Sequence, residues 1–247
     1  MMYSNEFKKL VENAYNKSVE YYKKEKDLIP NPFYIGFGNP NADILIVGQE
    51  KAINKKKKFV IKTESVENPW QWKKIADENI SDINYVLYEG KENISLFKNP
   101  LYPYAKKCTG TWAKYQKLLN LIYPELEKEP IENSFFTKSF ITEINHQPSP
   151  IQLGNKRDPQ REEFLHNDYY KNFNVIILAI GDYLKQNEIE EKFDVKKTRD
   201  DSEPWRKLII YKNNNLNRIL LHTRQLSNRF PNYYLGKIRD LVKNYIH

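Results

Sequence analysis

DILIVGQE (43–50) is an aspartate, four consecutive apolar residues, then a glycine and two polar side chains. Apolar residues at every position, rather than at alternate ones, mean a strand buried on both faces, as in a parallel sheet. Four further runs read as strands: SFITEI (139–144), VIILAIG (175–181), KLIIY (207–211) and RILLH (218–222). Between them lie helical patterns. Tyr115, Leu118, Leu119 and Ile122 share one face, as do Leu235, Ile238, Leu241 and Val242 in a helix from about Asn232. Asp158-Pro159 reads as a helix start that carries Leu165, Tyr169 and Phe173. Near the amino terminus, Phe7, Leu10, Val11 and Ala14 form another stripe, with Ser4 as the cap.

Strands separated by helices predict an α/β fold. The expectation is a three-layer α/β/α domain over 1–247 with a mostly parallel four-stranded central sheet. Residues 28–41 read as loop, from their Pro, Gly and Asn content. Residues 51–110 read as an insertion after the first strand, placed on one edge of the sheet.

Composition limits the function classes. The chain of 247 residues has one cysteine, Cys108, so neither an internal disulfide nor a cysteine-based zinc or iron–sulfur site is expected. No stretch reaches the ~18 apolar residues of a membrane span, and MMYSNEFKKL has no apolar run of a secretion signal. A cytoplasmic monomer is expected. The net charge of +8 and the 18 tyrosines favour a polyanionic partner such as nucleic acid.

In open sheets, ligands sit beyond the carboxyl ends of the strands. Those ends are Gly48-Gln49-Glu50, Asn145-His146, Gly181-Asp182 and His222-Thr223. Glu50 can polarise a water as a general base. Asn145 offers the donor and acceptor that read a base edge. His222 is placed to donate to a developing oxyanion. Taken singly, each has a plainer reading: Glu50 as a helix cap or lysine partner, Asn145 as a turn residue, His222 as an imidazole satisfied by backbone.

The stretch FGNPNADILIVGQEKA (37–52) resembles the first motif of the uracil-DNA glycosylase superfamily, in which a Gly/Pro loop and an apolar strand end in Gly-Gln-Asp-Pro-Tyr-His. Here Gly48 and Gln49 match, and Glu50 stands for the Asp. The second motif, His-Pro-Ser-Pro-Leu-Ser, is matched by His222, Leu226 and Ser227 in HTRQLS (222–227). HQPSP (146–150) resembles it too, but follows a middle strand and lacks Leu-Ser.

The resemblance implies a monofunctional DNA glycosylase with no cofactor and no metal. Gln49 and Asn145 would bind the flipped base, Glu50 would position water and meet the sugar's positive charge, and His222 would meet the departing base. Leu226 would be the wedge in the base stack. Ser227, Arg224, Arg229 and the lysines of 55–58 would contact phosphate. Lys51 and Ala52 replace the motif's Pro and Tyr. Without that Tyr, which bars substituents at carbon 5, a 5-substituted or hypermodified pyrimidine is expected, as in modified phage DNA. Lys51 also raises a Schiff-base lyase route. The alternatives are a non-cleaving DNA reader on the same fold and an α/β enzyme acting on a small anion.

Overall fold

The computed structural model describes residues 3–24, 30–50, 62–87, 99–103, 110–128, 133–147, 157–204, 206–227 and 230–246. Seven strands form one sheet: β1 (Phe37–Gly38), β2 (Ile44–Gly48), β3 (Ser139–Glu143), β4 (Val175–Leu178), β5 (Lys196–Asp200), β6 (Leu208–Lys212) and β7 (Ile219–Thr223), in the order β1-β3-β2-β4-β7-β6-β5. β2 pairs in parallel with β3 on one side and β4 on the other, and β4 pairs in parallel with β7. β1, β6 and β5 run antiparallel at the margins.

The fold is therefore α/β with a mixed sheet, mostly parallel at its centre. The expected strand count of four is corrected to seven, and KLIIY is antiparallel to its neighbour. β5 is KKTRD with all five residues exposed, so it carries no apolar alternation to read. Charged side chains on an edge strand discourage pairing with other chains.

Alternate residues of the central strands enter two cores. Leu45 and Val47 face the helix Asn5–Lys24, with Phe7 and Leu10, and also Trp72 and Ile189. Ile44 and Ile46 face the helices Thr111–Ile122 and Asn232–Val242, through Leu118, Leu119, Leu235 and Ile238. Ser4 Oγ accepts from Phe7 N at 3.1 Å, the expected cap. The helix expected from Asp158 is two short ones, Pro159–Phe164 and Asp168–Lys171, because Asn167 Oδ1 accepts from Tyr169 N and starts a second. Among the described residues no helix is long and apolar enough to cross a membrane.

The described part of 51–110 is not peripheral. In the helix Asn68–Asp77, Asn68 Oδ1 accepts from Ile35 N at 2.6 Å and Asn68 Nδ2 donates to Gly36 O at 3.0 Å. Trp72 Nε1 donates to the same carbonyl at 2.8 Å, and its ring is fully buried. Gly36 has φ +136°, and a Cβ there would lie 2.3 Å from Ile141 O, so the loop before β1 needs glycine at that point.

Arg161 ties this loop to the sheet. It is fully buried, and its guanidinium donates to Glu143 O (2.9 and 2.8 Å), Pro32 O (3.2 Å), Tyr34 O (2.5 Å) and Thr142 Oγ1 (2.7 Å). Arg161→Ala leaves buried acceptors unpaired, so urea unfolding should show a loss of about 3–5 kcal/mol. A loss under ~1 kcal/mol, the scale of an exposed pair, contradicts this role.

Candidate active site

Leaving β2, the chain passes to β3 on one side and later to β4 on the other. The carboxyl end of β2 is thus a topological switch point, the place where open α/β sheets bind ligands. The parallel ladder runs one step past the strands: Ile144 N donates to Gly48 O at 2.9 Å and Asn145 N to Gln49 O at 3.0 Å. That step sets buried Asn145 beside the end of β2. Gln49 Nε2 reaches across to Ile180 O at 3.2 Å, beyond β4.

The group that joins these ends is Tyr183. Its hydroxyl donates to Glu50 Oε2 at 2.7 Å and accepts from Asn145 Nδ2 at 3.0 Å. Burial, then the bond to Glu50 and its charge, push the phenol well above its ordinary pKa. Tyr183 therefore stays a neutral donor at any physiological pH. It fixes one carboxylate oxygen of Glu50 and one amide N–H of Asn145.

His222 is the next-to-last residue of β7, fully inside the protein at 1% exposure. Its Nε2 lies 2.6 Å from Gly181 O. A carbonyl only accepts, so Nε2 carries the proton. Burial and Lys207 push the imidazole pKa down to about 4, against the opposing pull of the Gly181 bond and Asp182. The ring is neutral, and Nδ1 is buried with no hydrogen-bond partner among the described residues. In this geometry His222 braces the Gly181 turn through backbone, the plainer of the two readings its position allowed. Gly181 itself has φ +62°, and a Cβ there would lie 3.0 Å from Gln49 Nε2.

A cleft of about 470 Å³ opens beside this constellation, lined among others by Gln49, Tyr183, Arg206, Arg224, Ser227 and Phe230. Arg224 is exposed and Ser227 half-buried, as groups that meet an anion must be. Lys207 Nζ donates to Asp182 Oδ1 (2.8 Å) and Gly181 O (3.2 Å) at its wall.

Leu226 is different. It is fully buried in the core that holds Phe230, Tyr234 and Leu235, because its side chain points under the loop rather than off it. The wedge expectation is corrected. His146 is also buried, with Nδ1 3.2 Å from Asp158 Oδ2. Burial takes its pKa to about 4 despite that carboxylate. Lys51, Ala52, the lysines of 55–58 and Arg229 lie outside the described residues.

Tyr183 and Arg206 were not legible as site residues. Tyr183 follows the strand end Gly181-Asp182 by one position, but one tyrosine among 18 carries no signal. No family model, no curated protein and no solved structure matches this chain.

His222 and His146 titrate lower in the folded chain than the ordinary ~6.5 of the unfolded one. The unfolded state therefore binds more protons between those values. Stability is full above pH ~6.5 and falls as pH drops toward 4, by on the order of 1 kcal/mol per pH unit for each histidine. Denaturant unfolding across this range should show that slope, and His222→Asn should reduce it. An imidazole titration near 6.5 for His222 by NMR contradicts the buried, neutral assignment.

Proposed function

We propose that the protein is a DNA glycosylase that hydrolyses the N-glycosidic bond of a pyrimidine held in the switch-point cleft. The observation that carries this reading is the Glu50–Tyr183–Asn145 chain: a carboxylate held by a neutral phenol, next to an amide, at the ends of three adjacent strands. The net charge of +8 and the cleft residues Arg206, Arg224 and Ser227 support a phosphate-bearing substrate.

The chemistry follows from what each group can still offer. The bond from the sugar's anomeric carbon to the base breaks, and its electron pair leaves with the base. Glu50 stabilises the positive charge that develops on the sugar, and its second oxygen holds the water that adds to the anomeric carbon. The water's proton passes to the carboxylate. Among the described residues the Asn145 side chain bonds to Tyr183, and its other N–H and its carbonyl would meet the base edge, while Gln49 stands at the cleft wall. A base must leave its stack to reach such a site. The absence of the motif's Tyr at position 52 supports a 5-substituted or hypermodified pyrimidine as the base.

The second reading is a non-cleaving reader of DNA. One observation favours it: His222 spends its Nε2 proton on the Gly181 carbonyl.

Base release from oligonucleotides carrying uracil, 5-hydroxymethyluracil or glucosylated 5-hydroxymethylcytosine separates the readings. The bulky bases should be released faster than uracil. Glu50→Gln should lower the single-turnover rate by about 10²–10⁴-fold with binding kept, the usual weight of a proton-handling group. Tyr183→Phe should lower it by roughly tenfold, as the loss of one hydrogen bond to a charged group does. Binding without release from any substrate supports the reader, and uracil preferred over every bulky base overturns the substrate assignment.

A further inference from the structure

An enzyme that extrudes a base from a duplex must fill or tolerate the gap left in the stack, and an apolar side chain pushed between base steps is the usual device. Leu226 cannot serve, since it lies in the core. Among the described residues three large hydrophobic side chains are strongly exposed: Val86, Leu216 and Tyr233. Leu216 lies in the turn between β6 and β7, and so at the opposite end of β7 from the cleft. Tyr233 is two residues past Pro231, which lines the cleft, and the residue is 48% exposed.

Tyr233 is also held in place. Its hydroxyl donates to Glu203 Oε2 at 2.9 Å. Glu203 pairs with Arg206 at 3.2 Å and with Lys237 at 3.0 Å. The Arg206 guanidinium, itself part of the cleft lining, lies 4.9 Å from the Tyr233 ring centroid. Lys237 Nζ is 5.8 Å from the same centroid. One carboxylate thus orders an aromatic ring, a planar cation and a lysine at the rim of the cleft, with two positive charges to one negative.

A phenol ring and a guanidinium are the two planar groups on which unpaired bases stack, and flanking cations follow the phosphates. A duplex keeps its bases stacked on one another and presents no free base face to such a platform. We infer that the protein takes its target from single-stranded DNA, with Tyr233 and Arg206 stacking the nucleotide next to the one in the cleft. This inference rests on the glycosylase reading, but its binding test does not require base release.

Fluorescence anisotropy with a labelled oligothymidylate of about 15 nucleotides, within the span of known single-strand sites, is compared with a duplex of equal length. The single strand should bind at least tenfold more tightly. Tyr233→Ala should weaken it by about tenfold, in the range measured for loss of one stacked base. Tyr233→Phe should stay near wild type, because the ring is kept. Arg206→Lys should weaken binding several-fold although the charge is kept. Duplex bound as tightly as single strand, an unchanged Tyr233→Ala, or a preference for the matching oligouridylate RNA overturns the inference. Single-strand binding that behaves as expected with no base released supports the platform and removes the glycosylase. Release from duplex and single strand at equal rates keeps the glycosylase and removes the platform.

Discussion

A guanidinium stripped of water must find acceptors, and Arg161 finds them all in two places. Its donors engage the carbonyls of Pro32 and Tyr34 in the loop before β1, and the carbonyl of Glu143 with the hydroxyl of Thr142 at the end of β3. The Tyr34 ring lies 4.3 Å from its centre and adds a cation–π contact. Burying an ion costs several kcal/mol, so the arrangement stands only because the donors are answered. The consequence is geometric. With Thr142 and Glu143 held, Ile144 and Asn145 continue the ladder against Gly48 and Gln49, and Asn145 meets Tyr183. The position of the candidate site therefore depends on a residue that does not enter it.

The same logic of burial governs the site itself. Tyr183 keeps its proton because the ring is sheltered and Glu50 is beside it. His222 loses its charge because it is deeper still, with Lys207 close by. The two groups thus have settled protonation states near neutral pH, and each has a settled job: the phenol orients a carboxylate, and the imidazole holds Gly181. The exposed groups at the cleft, Arg224 and Asp182 among them, are the ones a charged ligand would meet first.

The central sheet was legible because β2, β3, β4 and β7 are buried on both faces, which leaves runs dense in Ile, Leu, Val and Phe. β5 was not, since an exposed edge strand of charged and polar residues has the composition of a loop. The segment around Asn68 and Trp72 is hard to read because its role is to cap backbone groups of Ile35 and Gly36, and such bonds leave no periodic pattern. Glu50, Gln49 and Asn145 could be placed from strand ends alone. The directions of the Leu226 and His222 side chains could not, for a motif gives residue types at intervals and says nothing of which way a side chain turns. Tyr183 joins the site through contacts with Glu50 and Asn145, residues 133 and 38 positions away in the chain.

The central claim is that the carboxylate at the end of β2 breaks a glycosidic bond. Mass spectrometry of free bases released from a panel of natural and modified DNAs, with wild-type protein beside Glu50→Gln, tests it most directly. The account predicts a released pyrimidine and a matching abasic site with the wild type and neither with Glu50→Gln, both proteins binding the same DNA. DNA bound by both and no base released by either contradicts it.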